Sequence, residues 1–130
     1  MKRLLLGLML LMTVGAASAA WTQSGATDIF NDYADRATIR RNGNLVKMWN
    51  LRDYKSMQAS PSIGVSYLSE KVQLEYDCKE EKTRLLAYIW FSRQMGNGKV
   101  VSSDNYDEKW IPISPESIGE TLWKIACGKK

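Results

Sequence analysis

The 130-residue chain contains no histidine, only two cysteines, three prolines and two phenylalanines. Without histidine, serine and cysteine triads, the usual general base near neutral pH and most zinc sites all lose their central member. Carboxylate pairs or a calcium site remain, and the acidic stretches are DIFNDYAD at 28–35 and SDNYDEK at 103–109. The second starts like a calcium loop but lacks the glycine at its sixth position and the closing bidentate glutamate. It reads as a surface loop. No nucleophile and base can be paired, so no catalytic residue, metal ligand or cofactor is assigned and the chain reads as a non-enzyme.

What is present begins with an address. Lys2 and Arg3 precede the apolar run LLLGLMLLMTV, which is short for a membrane span, and GAASAAW follows with small residues at Ala17 and Ala19. Residues 1–19 read as a secretory signal peptide cleaved after Ala19, with cleavage after Ala20 as the alternative. A retained anchor helix is the competing reading, but no stop-transfer pattern follows. No cysteine closes the apolar run, so a lipoprotein anchor is not expected. Residues 20–130 are expected to form a single domain with no stable membrane span, located in the periplasm, at the cell surface or secreted.

Loss of Lys2 and Arg3 lowers the formal charge of +4 by two, and the remaining basic residues are dispersed. Nucleic acid is therefore not an expected partner. Cys78 and Cys127 form an even pair in a small exported chain, which predicts one structural disulfide. A redox or metal pair is the alternative, and the C-x-x-C spacing it would favour is absent.

The body of the chain reads as strands. DIFNDYA is a short first strand, and Asn42-Gly43-Asn44 makes a turn before a strand from Leu45 to about Tyr54. KSMQASPSIGVS is expected to be the longest loop. YLSEKVQLEYDC alternates Val72, Leu74 and Tyr76 with Gln73, Glu75 and Asp77, the pattern of a half-buried strand. RLLAYIWFS is the next strand, and Asn97-Gly98 suits a type I′ hairpin returning into KVVSS. KWIPI is a short extended piece. SPESIGETLWKIAC then carries a Ser117/Glu120 capping box with Ile118, Leu122 and Ile125 at helical spacing, and Gly128 ends the helix. Cys127 lies off the centre of that stripe, so the last turn is expected to fray toward Cys78.

With the turn centred on Glu80-Glu81, Tyr76 falls opposite Leu85, Leu74 opposite Ala87 and Val72 opposite Ile89. These residues, with Phe91, would form the core beneath the helix. Lys71 would then face Trp90, Gln73 would face Tyr88 and Glu75 would face Leu86. Lys71, Gln73, Leu86, Tyr88 and Trp90 are thus a candidate binding or dimer surface, in which Lys71 either makes a cation–π pair with Trp90 or merely covers the ring with its stem. The expected fold class is α+β: an antiparallel meander of about five to six strands with a C-terminal helix on one face, tied by one disulfide.

RNGNLVKMWNLRDYK, EYDC, MGNGKVV and WIPISPESIGETL before a terminal cysteine, in this order over roughly residues 21–127, resemble the surface-adhesin protein E family of Gram-negative bacteria. The resemblance implies an antiparallel sheet with a C-terminal helix, a Cys78–Cys127 disulfide and a non-catalytic protein that binds host extracellular-matrix or serum proteins. A periplasmic, envelope-associated module that self-associates into a homodimer through its sheet face is the alternative.

Overall fold

The computed structural model describes residues 21–130; the expected signal peptide and its cleavage site lie outside the described residues. Strands β1 (Trp21–Ala26), β2 (Phe30–Asn42), β3 (Leu45–Ser60), β4 (Val65–Asp77), β5 (Lys82–Phe91) and β6 (Val100–Asn105) form an antiparallel meander in sequence order. A short β7 (Ile111–Pro112) pairs with the start of β5, and helix α1 (Ile118–Cys127) follows. The expected α+β meander with a C-terminal helix and a Cys78–Cys127 disulfide is the observed architecture.

Helix α1 packs on one end of one sheet face, termed the front. Leu122, Trp123, Ala126 and Cys127 bury against Ala34, Val46, Met48 and Tyr76, which share that face by register. Burial of side chains the size of Val46, Met48 and Leu122 contributes roughly 1.5–3 kcal/mol each, and of the alanines less. The helix begins as its sequence demands, with Ser117 Oγ accepting from the Glu120 N–H at 3.1 Å, and stops where Gly128 turns left-handed at φ 67°. Trp123 Nε1 donates to the Asp77 carbonyl at 3.0 Å, fixing the helix beside the end of β4. The last turn does not fray: Cys127 is helical and buried, and the sheet rather than unwinding brings Cys78 to it.

Four further expectations are corrected. DIFNDYA does not open the sheet, because Trp21–Ala26 pairs ahead of it and β2 runs on to Asn42. KSMQASPSIGVS is no loop: β3 and β4 continue their pairing through Gln58–Tyr67, Ala59–Ser66 and Ser60–Val65, leaving only the turn at 61–64. Asn97-Gly98 does not form a type I′ turn, since Asn97 is extended at φ −98°. The connection instead makes a 3-10 turn at Gln94–Gly96, whose Met95 N–H donates to Asp53 Oδ1 at 2.7 Å and whose Gly96 N–H donates to Ser69 Oγ at 2.8 Å. These bonds draw it over the back face of the sheet.

The fourth correction concerns the pairing of β4 with β5. Tyr76 lies opposite Thr83, Leu74 opposite Leu85, Val72 opposite Tyr88 and Glu70 opposite Trp90, and the register shifts between Gln73 and Leu74. Leu86 is the extra residue, without a partner on β4, and this β-bulge reverses which side chains face front beyond it. Leu85, Tyr88 and Trp90 therefore share the helix-bearing face with Val72 and Leu74. Ala87, Ile89 and Phe91 lie on the back face, opposite Gln73, Lys71 and Ser69.

Candidate functional site: an aromatic cleft beside the helix

The helix covers only part of the front face. Beyond it, a half-open cleft of about 750 Å³ is floored by Val72, Leu74 and Leu85, flanked by Tyr88, Trp90 and Tyr106, and edged by Ser60, Ser62 and Ile63 from the tip of the β3–β4 arm. Its volume lies within the range typical of small-ligand pockets. Arg52, Glu70, Asp104 and Glu108 supply the charged lining.

Register explains how these residues meet. Asp32, Arg52, Glu70, Trp90 and Ser102 lie directly opposite one another on β2 to β6, forming one row across five strands. Arg52 stands between two carboxylates, 3.6 Å from Asp32 and 4.0 Å from Glu70, and Trp90 Nε1 donates to Glu70 Oε2. Asp32 is fully buried and accepts from Ser24 Oγ at 2.6 Å and from Asn50 Nδ2 at 3.1 Å. Burial raises the pKa of both Asp32 and Glu70 against the opposing pull of these partners.

Beside this polar row runs an aromatic one. Phe30 meets Tyr54 edge to face at 5.7 Å and Tyr54 meets Tyr67 at 5.6 Å. Tyr67 stacks on Trp90 at 4.2 Å, Trp90 meets Tyr88 at 4.9 Å, and Tyr88 stacks on Tyr106 at 5.7 Å. Six rings from β2, β3, β4, β5 and the segment after β6 are thus in unbroken contact, each pair contributing about 0.5–1.5 kcal/mol beyond its buried area. Burial, with Glu70 nearby, pushes the Tyr54 hydroxyl up to about 12 and raises that of Tyr67. Both hydroxyls are thus neutral at physiological pH.

The five residues expected to share one surface are divided. Tyr88 and Trp90 line the front cleft, Lys71 and Gln73 lie on the back face, and Leu86 sits at the bulge. Lys71 meets Ile89 rather than Trp90, and its ammonium lies 5.8 Å from the Trp21 ring centre and 5.3 Å from that of Phe91. Gln73 is opposite Ala87, and Glu75 is opposite Arg84, to which it is ion-paired at 2.7 Å. Trp21, Trp49, Lys71 and Ile89 border a smaller back-face groove of about 230 Å³. Sequence reasoning missed Arg52, Tyr67, Glu70 and Tyr106. Their signal was present only as polar and aromatic residues on neighbouring strands, and after β6 for Tyr106, whose register was unknown.

The acidic stretches hold no metal cluster: among the described residues no group of three histidine, cysteine, aspartate or glutamate side chains is placed to bind one. No helix among the described residues is long and apolar enough to cross a membrane.

Comparison with known proteins agrees with this architecture. Two structures of Haemophilus influenzae protein E, the first of them crystal form II, superpose with TM-scores of 0.59 and 0.58, at 11% and 10% identity, covering 81% and 83% of this chain and 91% and 93% of theirs. Protein E from non-typeable Haemophilus influenzae gives 0.57 at 12% identity over 86% of this chain and 76% of that one. At such identities the likeness concerns the fold alone. No curated protein matches the chain in sequence. The family match is carried by residues 21–128, which span the entire sheet, the cleft and the helix, and on that match the chain belongs to the surface-adhesin protein E family, a non-catalytic family of adhesins.

Proposed function

We propose that this protein is an exported binding module that recognises a host extracellular-matrix or serum protein, and that its front-face cleft is where the partner docks. The observation that carries this reading is the unbroken aromatic row bordering a half-open cleft on a sheet whose other end is closed by the helix. Tryptophan and tyrosine give an interface large contact area at small entropic cost, and they dominate binding hot spots. Within this reading residues 1–19 are the export signal and residues 20–130 the mature domain.

Solid-phase binding to vitronectin and laminin tests the proposal, using protein recovered from cells expressing the full chain. Saturable binding at micromolar concentrations, weakened at least about tenfold by Trp90→Ala, is expected for a hot-spot residue. No saturable binding to either protein sinks it. Protease shaving of whole cells tests display, with cleavage in intact cells expected and full protection counting against adhesion.

A second reading is favoured by the back face, where the half-buried Trp21, Trp49 and Ile89 surround Lys71. Such a surface suits self-association of an envelope-associated module. Light scattering distinguishes the two: a dimer converted to monomer by Trp49→Ala supports self-association through this face, and a monomeric wild type removes it.

A further inference from the structure

We propose that the front cleft is selective for a basic side chain, lysine or arginine, presented by an extended segment of the partner protein. This rests on the cleft being the docking site and adds the chemistry it selects. The charges lining the cleft do not balance. Arg52 is the one cation in its lining, 3.6 Å from Asp32 and 4.0 Å from Glu70 with its Nε making no hydrogen bond, and it stands against three lining carboxylates, Glu70, Asp104 and Glu108. Asp104 and Glu108 also line it, and neither has an ion-pair partner among the described residues. An anionic ligand would meet three carboxylates, two of them without an ion-pair partner, against a single guanidinium. A cation meets complementary charge.

The apolar part of the lining suits the rest of such a side chain. Lysine and arginine carry an aliphatic stem that packs on apolar surface while the charged head stays near polar groups. Val72, Leu74 and Leu85 offer that surface on the floor, and Tyr88, Trp90 and Tyr106 offer electron-rich rings at the wall. Tyr106 ends the aromatic row, is 38% exposed and lies between Asp104 and Glu108 in sequence, so the terminal ring and the two free carboxylates belong to one segment. On the opposite rim Ile63 is 52% exposed at the arm tip, leaving an apolar edge against which an extended backbone can lie.

The test uses isotope-labelled protein from cells expressing the full chain, with the Trp90 indole N–H, hydrogen-bonded to Glu70, as the reporter. Trp90→Phe assigns the signal. The probes are tetra-lysine, fully side-chain-acetylated tetra-lysine, tetra-glutamate and chitotriose. Tetra-lysine is expected to shift the signal saturably, with affinity falling roughly 3- to 10-fold in the Asp104→Asn/Glu108→Gln double variant and falling again as salt rises. Both substituted side chains are exposed, so the double variant retains its fold. An equal shift from the acetylated peptide, a shift from chitotriose but not tetra-lysine, or unchanged affinity in the double variant overturns the proposal. So does the absence of any saturable shift. If matrix-protein binding is saturable and Trp90-dependent while tetra-lysine fails, the docking site stands and its selectivity for cations does not.

Discussion

Single residues decide how closely the layers approach. Gly25 lies under the start of α1, and a Cβ there would come within 2.6 Å of Ile118 Cγ1 and 3.0 Å of its Cδ1. Gly25→Ala should therefore destabilise the protein by about 1–3 kcal/mol through overpacking, read as a lower Tm in thermal unfolding. Glu70 shows the electrostatic counterpart. Its folded pKa is raised by burial, so folding shifts its titration toward the neutral form relative to the unfolded chain. The stability linked to that shift is fully present below the ordinary carboxylate range and is lost as pH rises through the raised value. Glu70→Gln removes the titration while leaving an acceptor for Trp90. In urea unfolding the wild type should therefore gain stability relative to Glu70→Gln on moving from neutral to mildly acidic pH. A constant difference would contradict the assigned burial.

At the scale of elements, the C-terminal helix was legible and the strands only partly so. Ser117, Glu120 and Gly128 act locally, through backbone groups within a few residues, which is why a sequence pattern reveals them. Ser117→Ala should cost about 1 kcal/mol in chemical denaturation by orphaning the Glu120 N–H. Strand β5 is the opposite case. Both of its faces are apolar, so alternation alone does not say which is front, and the bulge at Leu86 answers that question through pairing with β4. The same kind of irregularity separates Asp53 from Gln58 on β3, beyond which Tyr67 stacks on Trp90. The β3–β4 arm was misread for a related reason. Its serines, proline and glycine look like a loop, yet the arm extends by backbone pairing with one face only half-buried and no residue of it fully buried.

For the whole molecule, the disulfide ties the last turn of the helix to the end of β4 across 49 residues of chain. Closing a loop of that size stabilises the folded state by about 4 kcal/mol in the chain-entropy model. The double variant Cys78→Ala/Cys127→Ala should lose a comparable amount in urea unfolding, while the sheet, whose meander pairs only chain neighbours, should keep its far-ultraviolet signature in the absence of denaturant. The layout also divides labour. The helix consumes the half of the front face nearest the disulfide, and the other half stays open as the cleft.

The sequence by itself determined the composition-level and local properties of this protein: a chain without histidine, paired cysteines, antiparallel strands and a capped terminal helix. Each follows from residue type or from interactions a few positions apart. Only the tertiary structure decided what Tyr88 and Trp90 face. A one-residue bulge carries them from the expected surface, shared with Lys71 and Gln73, to the helix-bearing face, shared with Arg52 and Glu70. The physical reason is the two-residue period of a strand: one unpaired residue reverses every side chain beyond it, and whether that residue is paired depends on the neighbouring strand.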